Sequence, residues 1–154
     1  MKKRGQFYFI AALIIIVILS GLSVIYTSIK TQNENIDIKE SARDARYETN
    51  QLIDNRMLAG VNDNQIAITL KDIPLYYSNK YNGLNIIIVY GDETLAYIIN
   101  STMVTQAVPI SENGKKIVKL QLPSEYKFEM KPNYKSLYII ALREKDGERA
   151  IAIE

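Results

Sequence analysis

The sequence predicts an α+β protein in which a long N-terminal transmembrane and stalk helix leads into a small antiparallel β-sheet head. Three observations carry that expectation. Residues 7–26 form an uncharged apolar run, residues 27–60 hold charges of both signs and no proline, and the chain beyond residue 85 breaks into short stretches rich in branched and aromatic residues. The expected division is a basic leader at 1–5, a membrane helix at 6–26, a helical stalk at 27–60 and a β-rich domain outside the membrane at 61–154.

The apolar run reads FYFIAALIIIVILSGLSVIY. At about 1.5 Å per residue, a helix of that length matches the roughly 30 Å hydrocarbon layer of a bilayer. Thirteen of its positions are Leu, Ile, Val or Phe, which favours insertion by about 5 kcal/mol before the serines and glycine subtract from it. A helix apolar on every side finds no cover in a soluble domain this small. Lys2, Lys3 and Arg4 precede the run; positive charge at a membrane end stays in the cytoplasm, so the C-terminal bulk is expected outside as a single-pass protein. Ordinary signal cleavage would need small residues after a short apolar core. Ser20-Gly21-Leu22-Ser23 is a poor version of that pattern, and the run continues past it to Tyr26.

The cations are followed by Gly5 and Gln6, and the apolar run begins after the glycine. This junction resembles the class III signal peptide of archaeal type IV pilins and pilin-like proteins. The resemblance covers about the first 26 residues. It implies that a prepilin peptidase cuts between Gly5 and Gln6 and that Gln6 becomes the mature N-terminus. Loss of the three cations would take the formal charge from +2 to about −1. Many members of that family carry a glutamate at the fifth mature position, often within Gln-x-Ser-x-Glu. Here the fifth position is Ile10 and the third is Tyr8. A glutamate there would neutralise a neighbouring subunit's N-terminus in lipid, so its replacement weighs against self-assembly and leaves the membrane-held layout in place.

In the stalk, Ile38, Ala42, Ala45, Thr49, Leu52, Arg56 and Ala59 recur at spacings of four and three, and Ile53 and Met57 widen the stripe. A stripe so short and rich in small residues suits packing on the chain's own globular domain better than an intermolecular coiled coil. The low helix propensity of residues 31–35, TQNEN, predicts a bend just outside the bilayer.

Val61-Asn62-Asp63-Asn64 reads as a turn and domain boundary. Residues 65–70 fit either strand or helix. Asp72, Pro74 and the stop at Gly83 predict a short helix over 74–81. Strands are expected at 85–90, 94–100, 103–108, 116–122, 134–143 and 149–153. Asn113-Gly114 and Asp146-Gly147 are tight-turn signals between neighbouring runs, so the sheet is expected to be antiparallel.

Composition excludes several chemistries. The chain of 154 residues has no cysteine and no histidine, which removes thiolate metal sites, cysteine nucleophiles and the commonest general base. Its small charge, concentrated in the leader, implies no broad cationic face, and nucleic acid is not an expected partner. Asp92-Glu93 and Asp146 with Glu148 lie in turn sequences, where aspartate caps its own backbone more often than it binds metal. Ser20, Ser23 and Ser28 have no nearby base beyond Lys30, and no glycine-rich phosphate loop is present. No catalytic residue, metal or cofactor is expected, and the protein is not expected to be an enzyme. Asn100-Ser101-Thr102 fits the N-glycosylation pattern. Tyrosines including Tyr76, Tyr77, Tyr81, Tyr90, Tyr97, Tyr126, Tyr134 and Tyr138 suit either an adhesive surface or sheet core.

The expected function is therefore that of a pilin-like surface structural or adhesive protein, in the membrane or in a surface filament. Its partners would be the lipid bilayer, the prepilin peptidase and like subunits. The alternative is an uncleaved single-pass protein whose outer domain binds a partner in an envelope complex.

Overall fold

The structure is a computed structural model that describes residues 14–20, 38–122, 124–145 and 148–154. The chain divides into two compact units, Met1–Ile36 and Asp37–Glu154. In the first, α1 covers residues 14–20, and its Ile14, Ile15, Ile16, Val17, Ile18 and Leu19 side chains are exposed. Among the described residues, no helix is long and apolar enough to cross a membrane. This corrects the expectation of a long transmembrane and stalk helix. Gly5 and Gln6 lie outside the described residues.

The second unit opens with α2, Ile38–Leu58. It packs on the main sheet as a core layer. Ser41, Ala42, Ala45, Thr49 and Ile53, spaced by one, three or four, are its buried residues, and their small side chains let the helix lie close against two strands of the main sheet. The hydroxyl of Thr49, fully buried, donates to the Ala45 carbonyl at 2.6 Å and so carries no unmet polar group into the core. Two short helices follow, α3 at Asp63–Leu70 and α4 at Asp72–Lys80. The stretch that fits strand or helix by pattern is helical because Asn62 caps it, its side chain accepting from the Gln65 N–H at 3.0 Å. Ile66, Ala67 and Leu70 then turn to one side and are buried with Ile73 and Tyr77 of α4.

Among the described residues eight strands follow: β1 Leu84–Gly91, β2 Ala96–Ile99, β3 Val104–Ala107, β4 Ile110–Glu112, β5 Lys115–Gln121, β6 Glu125–Met130, β7 Ser136–Lys145 and β8 Glu148–Ile153. Every pairing is antiparallel. Five strands form one sheet in the order β3-β2-β1-β7-β8, and three form another in the order β4-β5-β6. The head therefore holds two sheets where a single small one was expected. β4 and β6 are the unexpected strands. They arise because the Asn113-Gly114 turn, with both residues at positive φ, pairs β5 with a preceding strand, and β5 then pairs β6 from Lys116 opposite Met130 to Gln121 opposite Glu125.

β1 is the centre of the fold and explains the layering. Its alternate residues Leu84, Ile86, Ile88 and Tyr90 join the helices, together with Tyr97, Ile99, Ile139 and Ala141 of neighbouring strands. Val89, on the opposite face, joins Ala96, Ile140 and the second sheet's Val118, Phe128 and Met130. The run IIIVY is continuous because β1 is covered on both sides, as in a strand with no solvent face. The result is helices, five-stranded sheet and three-stranded sheet in three layers.

Candidate functional site

The two short connections at the ends of β2 have the same construction. Ahead of β2, the Asp92 N–H donates to the Leu95 carbonyl at 3.0 Å. Asp92 Oδ1 accepts from the Thr94 N–H at 2.8 Å, the Thr94 hydroxyl at 2.5 Å and the Leu95 N–H at 3.1 Å. Beyond β2, the Asn100 N–H donates to the Met103 carbonyl at 3.0 Å. Asn100 Oδ1 accepts from the Thr102 N–H at 2.9 Å, the Thr102 hydroxyl at 2.8 Å and the Met103 N–H at 2.8 Å. In each case an Asx residue satisfies the loop backbone through one oxygen, and a threonine two positions on adds its hydroxyl.

The Asp92 loop carries a second set of contacts. Lys135 Nζ donates to Asp92 Oδ2 and to Asp63 Oδ2, both at 2.6 Å. The hydroxyl of Tyr90, at the end of β1, donates to Asp63 Oδ1 at 3.0 Å. One lysine thereby ties the first turn of α3 to the β1–β2 loop and to the loop before β7. That last loop is shaped by Asn133 at φ 61 and closed by the Lys131 N–H donating to the Ser136 hydroxyl at 3.0 Å. Gly91 sets the approach of the Asp92 loop. At φ 153, a Cβ placed on it would lie 2.3 Å from the Leu95 carbonyl oxygen, so only glycine fits.

The electrostatics favour the ionised forms of Lys135 and of Asp92. Burial pushes the Asp92 carboxyl up, but the hydrogen bonds from Lys135, Thr94 and Leu95 outweigh it and hold the group well below the usual carboxylate range. Burial pushes the Lys135 ammonium down, and its bonds to Asp63 and Asp92 more than reverse that, leaving it above the ordinary lysine value. Burial, then the bond to Asp63, raises the Tyr90 phenol. At neutral pH the lysine is a cation, Asp92 an anion and the tyrosine a neutral donor.

Beside the tie is a cleft of about 560 Å3, lined by Met57, Asp92, Glu93, Thr94, Asn133, Tyr134 and Lys135. Tyr134 is 72% exposed and Met57 50%, so the walls present an aromatic ring and a thioether beside carboxylates. A second cleft of about 340 Å3 has Leu122, Leu142 and Ile151 in its lining, with Arg143, Glu144 and Arg149 beside them.

Of the acidic residues singled out from the sequence, Asp92 caps its loop and holds Lys135, while Glu93 lines the cleft. Asp146 lies outside the described residues, as do Ser23, Ser28 and Lys30. Asn100 is half-buried in its turn, with Thr102 and Met103 exposed. Of the tyrosines, Tyr77, Tyr90 and Tyr97 are buried core, Tyr81, Tyr126 and Tyr138 are half-buried, and Tyr47, Tyr76 and Tyr134 are exposed. Lys80 sits over the Tyr76 and Tyr81 rings at 5.1 and 5.0 Å. Sequence reasoning missed Lys135, Asp63 and Tyr90 as a group. The two carboxylates lie 72 and 43 residues from the lysine, and only the tertiary fold, with α3 beside the β1 and β7 ends, brings them together.

Set against known proteins, the chain matches no family model, no curated protein and no solved structure.

Proposed function

We propose that the protein is a pilin-like surface component, held in a membrane or filament through its apolar N-terminal segment, with the layered β-rich head outside for structural or adhesive contacts. The observation that carries this reading is the junction Lys2-Lys3-Arg4-Gly5-Gln6 set directly before twenty uncharged residues. A prepilin peptidase is the processing partner, and the lipid bilayer or like subunits are the partners of the apolar run. The exposed ring of Tyr134 beside the cleft supports a contact role for the head, since amphipathic aromatic side chains are enriched where proteins meet partners.

Ile10, in place of a glutamate, favours a second reading. Here the chain stays uncleaved as a single-pass membrane protein, and the head binds a partner in an envelope complex. Shearing of intact cells separates the two. Recovery in the sheared filament fraction supports a filament component, and recovery only from detergent-solubilised membranes supports the second reading. A freely soluble native chain that begins downstream of Tyr26 overturns both.

A further inference from the structure

We infer that the side-chain nitrogen of Asn100 is a glycan acceptor on the folded head. The inference rests on the proposed placement of the head outside the cell. The comparison with Asp92 isolates what the asparagine adds. Both residues complete the same turn through Oδ1 alone, with the same three donors. Those donors are two backbone N–H groups and a hydroxyl, so the oxygen of Asn100 must face inward and the nitrogen outward. Asp92 uses its second atom, Oδ2, to hold Lys135. Asn100 Nδ2 makes no corresponding bond among the described residues, and it is not a buried unpaired atom. The fold needs an acceptor at position 100 and makes no use of the amide nitrogen.

That spare nitrogen sits in the one place where the chemistry requires it. Of all asparagines in the chain, only Asn100 has a serine or threonine two positions on. In the transfer, a bond forms between Nδ2 and the anomeric carbon of a lipid-phosphate-linked sugar. The bond from that carbon to the phosphate oxygen breaks, the phosphate leaves with the electron pair, and Nδ2 gives up one proton. Oδ1 keeps its lone pairs, so all three hydrogen bonds of the turn survive modification. The exposed neighbours Thr102 and Met103 leave the loop open to solvent.

The test uses the full-length chain expressed in its own cells, as wild type and as Asn100→Asp, with peptide mass measured after external protease treatment of intact cells. The expected result is a sugar mass on the wild-type peptide containing Asn100, its complete loss in Asn100→Asp, and an unchanged melting temperature for that variant against unmodified wild type. A bare Asn100 on a chain that external protease cleaves overturns the acceptor assignment and leaves the surface placement standing. A bare Asn100 on a protected chain overturns both.

Discussion

Asp92 and Asn100 stand at opposite ends of β2 and accept the same three hydrogen bonds through Oδ1, yet only Asp92 has a second oxygen committed, to Lys135 at 2.6 Å. The pair separates the requirement of a turn from the requirement of a charge. Asp92→Asn keeps the turn acceptor and removes the anion. It is expected to destabilise the head by about 2 kcal/mol, the scale of a hydrogen bond to a charged partner. Chemical denaturation of wild type and variant measures it; a loss below a few tenths of a kcal/mol would show the tie to be idle.

Acid and base act on this tie from opposite sides. Asp92 is depressed in the folded head, so its contribution is full above the unfolded carboxylate value of about 3.9 and is lost as pH falls through its lower folded value. Lys135 is raised, so its contribution is present below about 10.4 and is lost as pH rises through the higher folded value. Melting temperature against pH is expected to fall away on the acid side in wild type, and that limb is expected to be shallower in Asp92→Asn.

Gly91 is the least replaceable residue near the cleft. In Gly91→Ala the new methyl would meet the Leu95 carbonyl oxygen and the Ala96 Cα, at 2.3 and 2.5 Å, and backbone atoms cannot rotate aside as a side chain would. The expected cost is about 3 kcal/mol or more, the combined result of an unfavourable φ and a steric clash. Circular dichroism melting gives the answer, and a variant as stable as wild type would contradict the described loop.

Ala45 tests whether α2 belongs to the head. It is fully buried within the core that the helices share with the five-stranded sheet. Ala45→Leu is expected to cost about 1–3 kcal/mol through overpacking. A free stalk would tolerate the same change, because an exposed helix position accepts leucine almost as readily as alanine.

The features carried by local chemistry were legible without the structure. The Asn113-Gly114 turn, the helix led by Asp72 and Pro74, and the strand built on Ile86, Ile88 and Tyr90 all follow from residues within a few positions of one another. What the pattern could not supply was layering. The stripe of Ala42, Ala45 and Thr49 pointed to packing on the chain's own domain, but nothing local in it named the surface it covers, the β7 and β8 side of the five-stranded sheet. β6, with Glu125, Lys127 and Glu129 alternating against Tyr126, Phe128 and Met130, carries the period of a strand, but its charges disguised it. The Lys135 tie is a product of topology, and no local spacing encodes it.

The intact mass of the native protein tests the surface assignment most directly, because it reads the junction at Gly5 and Gln6. The account predicts a chain that lacks Met1 through Gly5 and keeps the apolar run from Phe7 to Tyr26. A native chain that retains Met1 through Gly5 would contradict the pilin-like processing.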